Sequence, residues 1–113
     1  MSSDERKIMR AVGKPVRFTY PGGEGRRRGI LKSREIAYLR RRTGARYWAV
    51  VDVVAFDGES EPRLRVGYYR KPVGASAPMW ASQTTICTGF SKWRNAILPA
   101  IAKLMEKAKD SRG

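Results

Sequence analysis

Histidine is missing from this 113-residue sequence, and cysteine occurs once, at Cys87. The first absence removes the commonest general base and the commonest metal ligand. The second excludes an internal disulfide and a structural zinc site, so Cys87 reads as a small buried residue of a reducing compartment. No apolar run approaches the ~20 residues that span a bilayer. The opening MSSDERKIMR has no apolar core of the signal-peptide kind. The expected location is therefore the cytoplasm, in association with nucleic acid or the nucleoid, and no membrane partner is expected. Carboxylates are also few. Asp57, Glu59 and Glu61 crowd into one turn, whereas glycosidase chemistry needs two acids on opposite sides of a substrate. There is no Walker GK[ST] ending, no GxGxxG opening a helix, and no helix-turn-helix, zinc-finger or RNP pattern. No cofactor is expected, and the chain does not read as an enzyme.

Positive charge is what the chain has in excess. Lys and Arg total 24 against 10 Asp and Glu, a net charge of +14. That surplus implies a polyanionic partner: nucleic acid, an anionic membrane surface or an acidic protein. Sixteen of the 24 are Arg, whose planar fork grips phosphate with two hydrogen bonds and stacks on bases. A GC-rich genome would also enrich Arg. Residues 1–46 hold 14 basic and 4 acidic side chains, residues 47–113 hold 10 and 6, so the field is strongest around the first half. At 42% hydrophobic residues, with three Trp, five Tyr and three Phe, the chain can still bury a core.

Residues 40–71 carry the clearest pattern: a basic turn, a strand, an acidic turn and a second strand. Residues 47–56 are apolar except for Asp52, which predicts a strand covered on both faces. Asp52 then either pairs with a buried partner such as an Arg or faces a ligand, because a lone buried carboxylate is costly. Residues 63–71 alternate, placing Leu64, Val66 and Tyr68 in the core and Arg63, Arg65, Tyr69 and Lys71 in water. Asp57-Gly58 marks the turn between them, and Thr43-Gly44 the hairpin before.

The rest follows the same logic. Residues 1–14 form a flexible or short helical N-terminus, with Ser2, Ser3 and Asp4 as N-cap candidates. Val16-Arg17-Phe18-Thr19-Tyr20 alternates as a first strand with Arg17 outside. Pro21 to Gly25 makes a glycine-rich tip running into Arg26, Arg27 and Arg28, a candidate phosphate contact or a mobile hairpin end. Residues 29–39 read as a long strand bent near Ser33. Met79–Thr88 reads as the last strand, with Trp80 either an anchor or a stacking platform. Residues 90–110 form a helix capped by Thr88 or Ser91. Its stripe of Phe90, Trp93, Ile97, Ile101, Leu104 and Ala108 is expected on the sheet, and Pro99 is expected to kink or split it. Residues 15–110 are thus one basic domain and 111–113 a tail. The fold class is α+β: a strongly twisted antiparallel sheet or small open barrel of about five strands, followed by one C-terminal helix.

At the level of architecture, such a sheet followed by a helix that starts TGFSKW resembles the single-strand-binding fold of p15-type and whirly coactivators. The opening VRFTYPGGEG equally resembles the start of an SH3-like barrel. Either resemblance implies a nucleic-acid partner only weakly, because fold does not fix function. The expected function is nucleic-acid binding (DNA or RNA), with phosphates held by Arg17, Arg26, Arg27, Arg28, Arg40, Arg41, Arg42, Arg46, Arg63, Arg65 and Lys71. Tyr69, Tyr47 or Trp80 would stack bases. The alternatives are a protein-interaction module, including a homodimer paired through the 79–88 edge, and a metal-independent RNase-type toxin.

Overall fold

A computed structural model describes residues 1–19, 26–81 and 86–110, with the side chains of 17–19, 26–27 and 108–110 outside that description. The Pro21–Gly25 loop, the middle of the expected 79–88 strand and the tail 111–113 therefore lie outside the described residues. A short helix α1 (Ser3–Met9) precedes β1 (Pro15–Thr19), β2 (Arg26–Arg42), β3 (Ala45–Phe56) and β4 (Arg63–Lys71). Two short strands follow, β5 (Met79–Trp80) and β6 (Cys87–Gly89). The chain ends in α2 (Phe90–Lys92), a π-helical turn (Trp93–Ile97) and α3 (Leu98–Asp110). All strands join one antiparallel sheet in the order β1-β2-β3-β4-β5, with β6 also on the β4 edge. This is an α+β fold, a curled sheet of five ranks with a C-terminal helix.

Local chemistry sets the turns. Thr43 (φ 50°) and Gly44 (φ 84°) both lie at positive φ, which gives a two-residue hairpin of the kind whose twist matches its strands. Gly58 takes φ 79° in the Asp57-Gly58 turn. In β2 the pairing slips between Leu31 and Ser33 and again between Ile36 and Tyr38, so Lys32 and Ala37 are extra residues. The first bulge is the bend expected near Ser33. Together they explain why neither side of 29–39 looks clean in sequence, since each bulge resets the period of two. Arg26 to Arg28 are paired strand residues opposite Thr19 to Arg17, not part of the hairpin tip. They share an end of the sheet with the acidic turn, where Asp57 N donates to Arg28 O at 3.0 Å. The Arg40–Arg46 hairpin is at the other end, so the basic segments occupy both ends of β2.

The N-terminus is the helical one of its two expected forms, and it is docked. Ser2 caps it, accepting from Glu5 N at 3.1 Å. Asp4 takes Lys71 Nζ at 3.0 and 3.2 Å, Lys7 Nζ donates to Ser76 O, and Ile8 is 1% exposed. This helix covers the inner face of the sheet. Ile8 packs with Trp48 and Val50, flanked by Ile36 and Tyr69. A second cluster of Leu31, Val54 and Phe56 gathers Ala11, Val12, Val16 and Cys87. Only this face of β3 is fully buried: Trp48, Val50, Asp52, Val54 and Phe56 are closed, and the residues between them are half-exposed. The expectation of cover on both faces fails, because the residues on the outer side stay partly exposed.

The C-terminal helix also departs from expectation. Trp93 is buried and its Nε1 donates to Leu64 O at 2.7 Å. Leu98, Ile101, Leu104 and Met105 stay 44–69% exposed, so the stripe does not pack on the sheet. Neither Thr88 nor Ser91 is the cap. The N-cap is Gly89, and the distant Glu61 accepts from Ser91 N at 2.8 Å. Pro99 follows a π-turn in which Leu98 N reaches back to Trp93 O, so the hydrogen-bond ladder shifts just before the residue that lacks a donor and the helix is not split.

Ile8→Ala should lower stability by about 2–5 kcal/mol, the cost of emptying a closed site. Urea unfolding measures it, and a loss near zero would mean that α1 does not cover the sheet.

Candidate nucleic-acid interface

Register decides which side chains share a face. On the inner face one row crosses three strands as Arg34, Asp52 and Arg65, and continues to Cys87 on β6. Arg34 forks onto Asp52, Nε to Oδ1 at 2.7 Å and Nη2 to Oδ2 at 2.9 Å. Its Nη1 donates to Ile8 O at 2.8 Å and to the Tyr69 hydroxyl at 2.7 Å. Arg65 Nε donates to Asp52 Oδ2 at 2.9 Å. Burial by itself draws the Arg34 pKa down, but the hydrogen bonds and charge of Asp52, with Tyr69, outweigh it and hold the pKa above its usual value. Asp52 is thus paired with arginine, the structural one of its two expected roles.

This row reverses the expected faces of β4. Arg65 is 8% exposed, whereas Val66 and Tyr68, expected in the core, are 44% and 42% exposed. The cationic side of the strand faces inward, where Asp52, Glu59 and Asp4 supply partners to Arg65, Arg63 and Lys71, and the apolar side faces out. Several expected phosphate or base contacts are engaged elsewhere as a result. Arg63 bonds Glu59 at 2.8 and 2.9 Å and lies over Phe56. Lys71 and Arg46 reach Asp4. Tyr69 bonds Arg34, and Trp80 packs edge-on to Tyr69 at 5.4 Å while its ring lies 4.6 Å from the Arg65 guanidinium.

Among the described residues the arginines of the outer face make no ion pair. The rows of that face read Tyr38–Ala49–Tyr68 and Arg40–Tyr47–Arg70 across β2, β3 and β4. Tyr38 is 62% exposed. Strand spacing of ~4.8 Å sets Tyr38 and Tyr68 about 10 Å apart, with Ala49 as a low floor between them. Tyr38, Arg40, Arg42, Tyr47, Ala49, Val66, Gly67 and Tyr68 enclose a groove of about 450 Å³. Tyr47 lies 6.3 Å from Tyr68 and accepts from Arg70 Nε at 3.1 Å. Arg28 and Arg41 are also exposed. Arg17 pairs with Arg28 and Arg26 with Thr19, while the side chains of Arg17, Arg26 and Arg27 lie outside the described residues.

Of the expected site residues, then, the structure brings Arg40 and Arg42 together with the stacking candidate Tyr47. Sequence reading missed Tyr38 and Tyr68. Asp52 was the available signal: an acid inside β3 demands cations opposite it on β2 and β4, which turns their other residues outward. Among the described residues no group of three His, Cys, Asp or Glu is placed to hold a metal. No described helix is long and apolar enough to cross a membrane.

Asp52→Asn leaves two buried guanidinium groups without their anion and should cost about 3–5 kcal/mol, measured by urea unfolding. Loss below 1 kcal/mol would show that the row is not closed. Burial pushes the Cys87 thiol above its usual 9.0, against the lowering influence of Arg65 and Arg63. A raised pKa means less thiolate at any given pH. The rate of alkylation by iodoacetamide should therefore rise at higher pH than for a free thiol, and a midpoint below 9.0 would contradict the burial.

No protein-family model matches this sequence, and no curated protein or solved structure matches it either.

Proposed function

We propose that this protein binds single-stranded nucleic acid across the outer face of its sheet. The observation that supports it is the groove between Tyr38 and Tyr68, floored by Ala49 and bordered by Arg40 and Arg42. Exposed tyrosines offer stacking surfaces to unpaired bases, and a duplex presents no base faces to them. Arg40 and Arg42 supply the phosphate contacts, and Arg28 extends the cationic track along β2. The net charge of +14 favours encounter with any polyanion. Nothing in this arrangement reads base edges, so the binding is sequence-tolerant.

A second reading, a protein-interaction module, draws on a different observation. Leu98, Ile101, Leu104 and Met105 leave an apolar stripe exposed on α3, a feature that often marks a protein contact.

Fluorescence anisotropy with labelled single-stranded and duplex DNA and RNA, titrated with salt, tests the main reading. Single strands should bind tighter than duplex. Tyr38→Ala with Tyr68→Ala should weaken single-strand binding at least tenfold, since stacking contributes about 1–3 kcal/mol per base. Arg40→Ala with Arg42→Ala should lower the slope of log affinity against log salt by about 1.4 for two lost phosphate contacts. Equal binding of duplex, with no effect of the tyrosine changes, would overturn it.

A further inference from the structure

Every residue of α3 from 98 to 107 is exposed, so no side of the helix is packed away. Spacings of three and four gather Leu98, Ile101, Leu104 and Met105 onto one side, with exposures of 54%, 44%, 67% and 69%. Lys103 and Glu106 fall on the opposite side. A lone helix of 13 residues is marginal in water, and covering an apolar stripe of this kind stabilises it.

Charge selects what covers the stripe. The chain carries +14, yet residues 95–106 hold one Lys and one Glu and balance to zero. A polyanion or an anionic bilayer finds no surplus of cations on this stretch. A neutral apolar helix face fits it, and the chain itself supplies one. The stripe is also self-complementary. Two copies of α3 laid antiparallel, about a two-fold axis between Ile101 and Leu104, set Ile101 of each against Leu104 of the other. Leu98 then meets Met105 along one flank, and Ala100 faces Lys107 along the other, so no like charges meet.

The sheets choose the direction. Each helix is anchored to its own sheet at Trp93, whose Nε1 donates to Leu64 O. Parallel helices would bring two basic sheets side by side. Antiparallel helices hold them a helix length apart, about 20 Å for the 13 residues of α3. That exceeds the ~8 Å over which charges act at physiological salt.

We propose that α3 pairs antiparallel with α3 of a second copy of this chain, through Leu98, Ile101, Leu104 and Met105. This names the partner for the protein-contact reading, on which it rests, and it uses no residue of the outer-face groove. Four side chains on one helix bury less than the roughly 800 Å² per partner of a standard interface, so the pair is weak and reversible.

Sedimentation equilibrium of the nucleic-acid-free protein over a range of concentrations tests this. The mass should climb from 12.8 kDa toward twice that value as concentration rises through the micromolar range. Added salt should favour the pair by screening two chains of like charge, whereas copies bridged by a polyanion would come apart. Leu104→Glu should hold the protein at single-copy mass without lowering its thermal midpoint at low concentration, because Leu104 is exposed. Lys103→Glu, on the far side of the helix, should leave the pairing intact. Ile101→Lys and Leu104→Glu should each stay single alone and pair when mixed, since antiparallel packing sets the new lysine against the new glutamate. A mixture that stays single would overturn the antiparallel register, and a dimer indifferent to Leu104→Glu would overturn the surface. Single-copy mass of the unaltered protein at every concentration and salt would sink self-pairing without any variant. Contact with a different protein would survive that result, so the two readings fail separately.

Discussion

The Arg34–Asp52–Arg65 row is the constraint on which the rest of the molecule depends. It lies between two apolar clusters, one around Trp48 and the other around Leu31 and Phe56. A buried acid of this kind tolerates almost no freedom, because its charge must be met by donors at fixed distances. It therefore fixes register on both sides of β3 at once. A slip of one residue in β2 or β4 would turn Arg34 or Arg65 to the other face and leave Asp52 unpaired. Arg34 carries the constraint outward, since its Nη1 also holds the carbonyl of Ile8 at the end of α1. One guanidinium thus ties the sheet to the helix that covers it.

Turning those cations inward determines what the surface looks like. The strand that gives Arg65 and Tyr69 to the interior gives Val66 and Tyr68 to solvent. The basic protein therefore presents an aromatic and apolar centre on its outer face, bordered by arginines that make no ion pair among the described residues. The acids are consumed elsewhere: Asp4 by Lys71 and Arg46, Glu59 by Arg63, and Glu61 by the start of the C-terminal helix. Surplus charge is left where a flexible polyanion can reach it.

Much of this was legible in the sequence, and what was not has physical causes. Period-two patterning located β1 and β4, a nearly continuous apolar run located β3, Gly44 and Gly58 marked the turns at positive φ, and Asp52 pointed to a buried partner or a ligand. The α+β class followed from the order of elements. A period of two separates the faces of a strand without saying which is covered, and arginines at alternate positions of β4 suggested water. Only the acid opposite, on another strand, makes the inward choice favourable. Two bulges in β2 mixed its faces beyond local reading. The cap supplied by Glu61 spans thirty residues to Ser91, so no nearby pattern contains it. The apolar stripe of α3 implied a surface to pack on, and helical periodicity is silent on whether that surface belongs to the same chain.

The docking of α1 reverses the order of synthesis. Its seven residues are too few to hold a helix alone, yet they are made before every partner they dock against. Their partners are Arg34, Trp48, Lys71 and Ser76. On the ribosome this segment must wait, unstructured, until the chain has emerged past Ser76. Over that interval Trp48 and Val50 have no cover, and a nascent chain with a bare apolar sheet face is what chaperones bind. These residues are thus made before their partners and settle after them, closing the apolar face around Trp48.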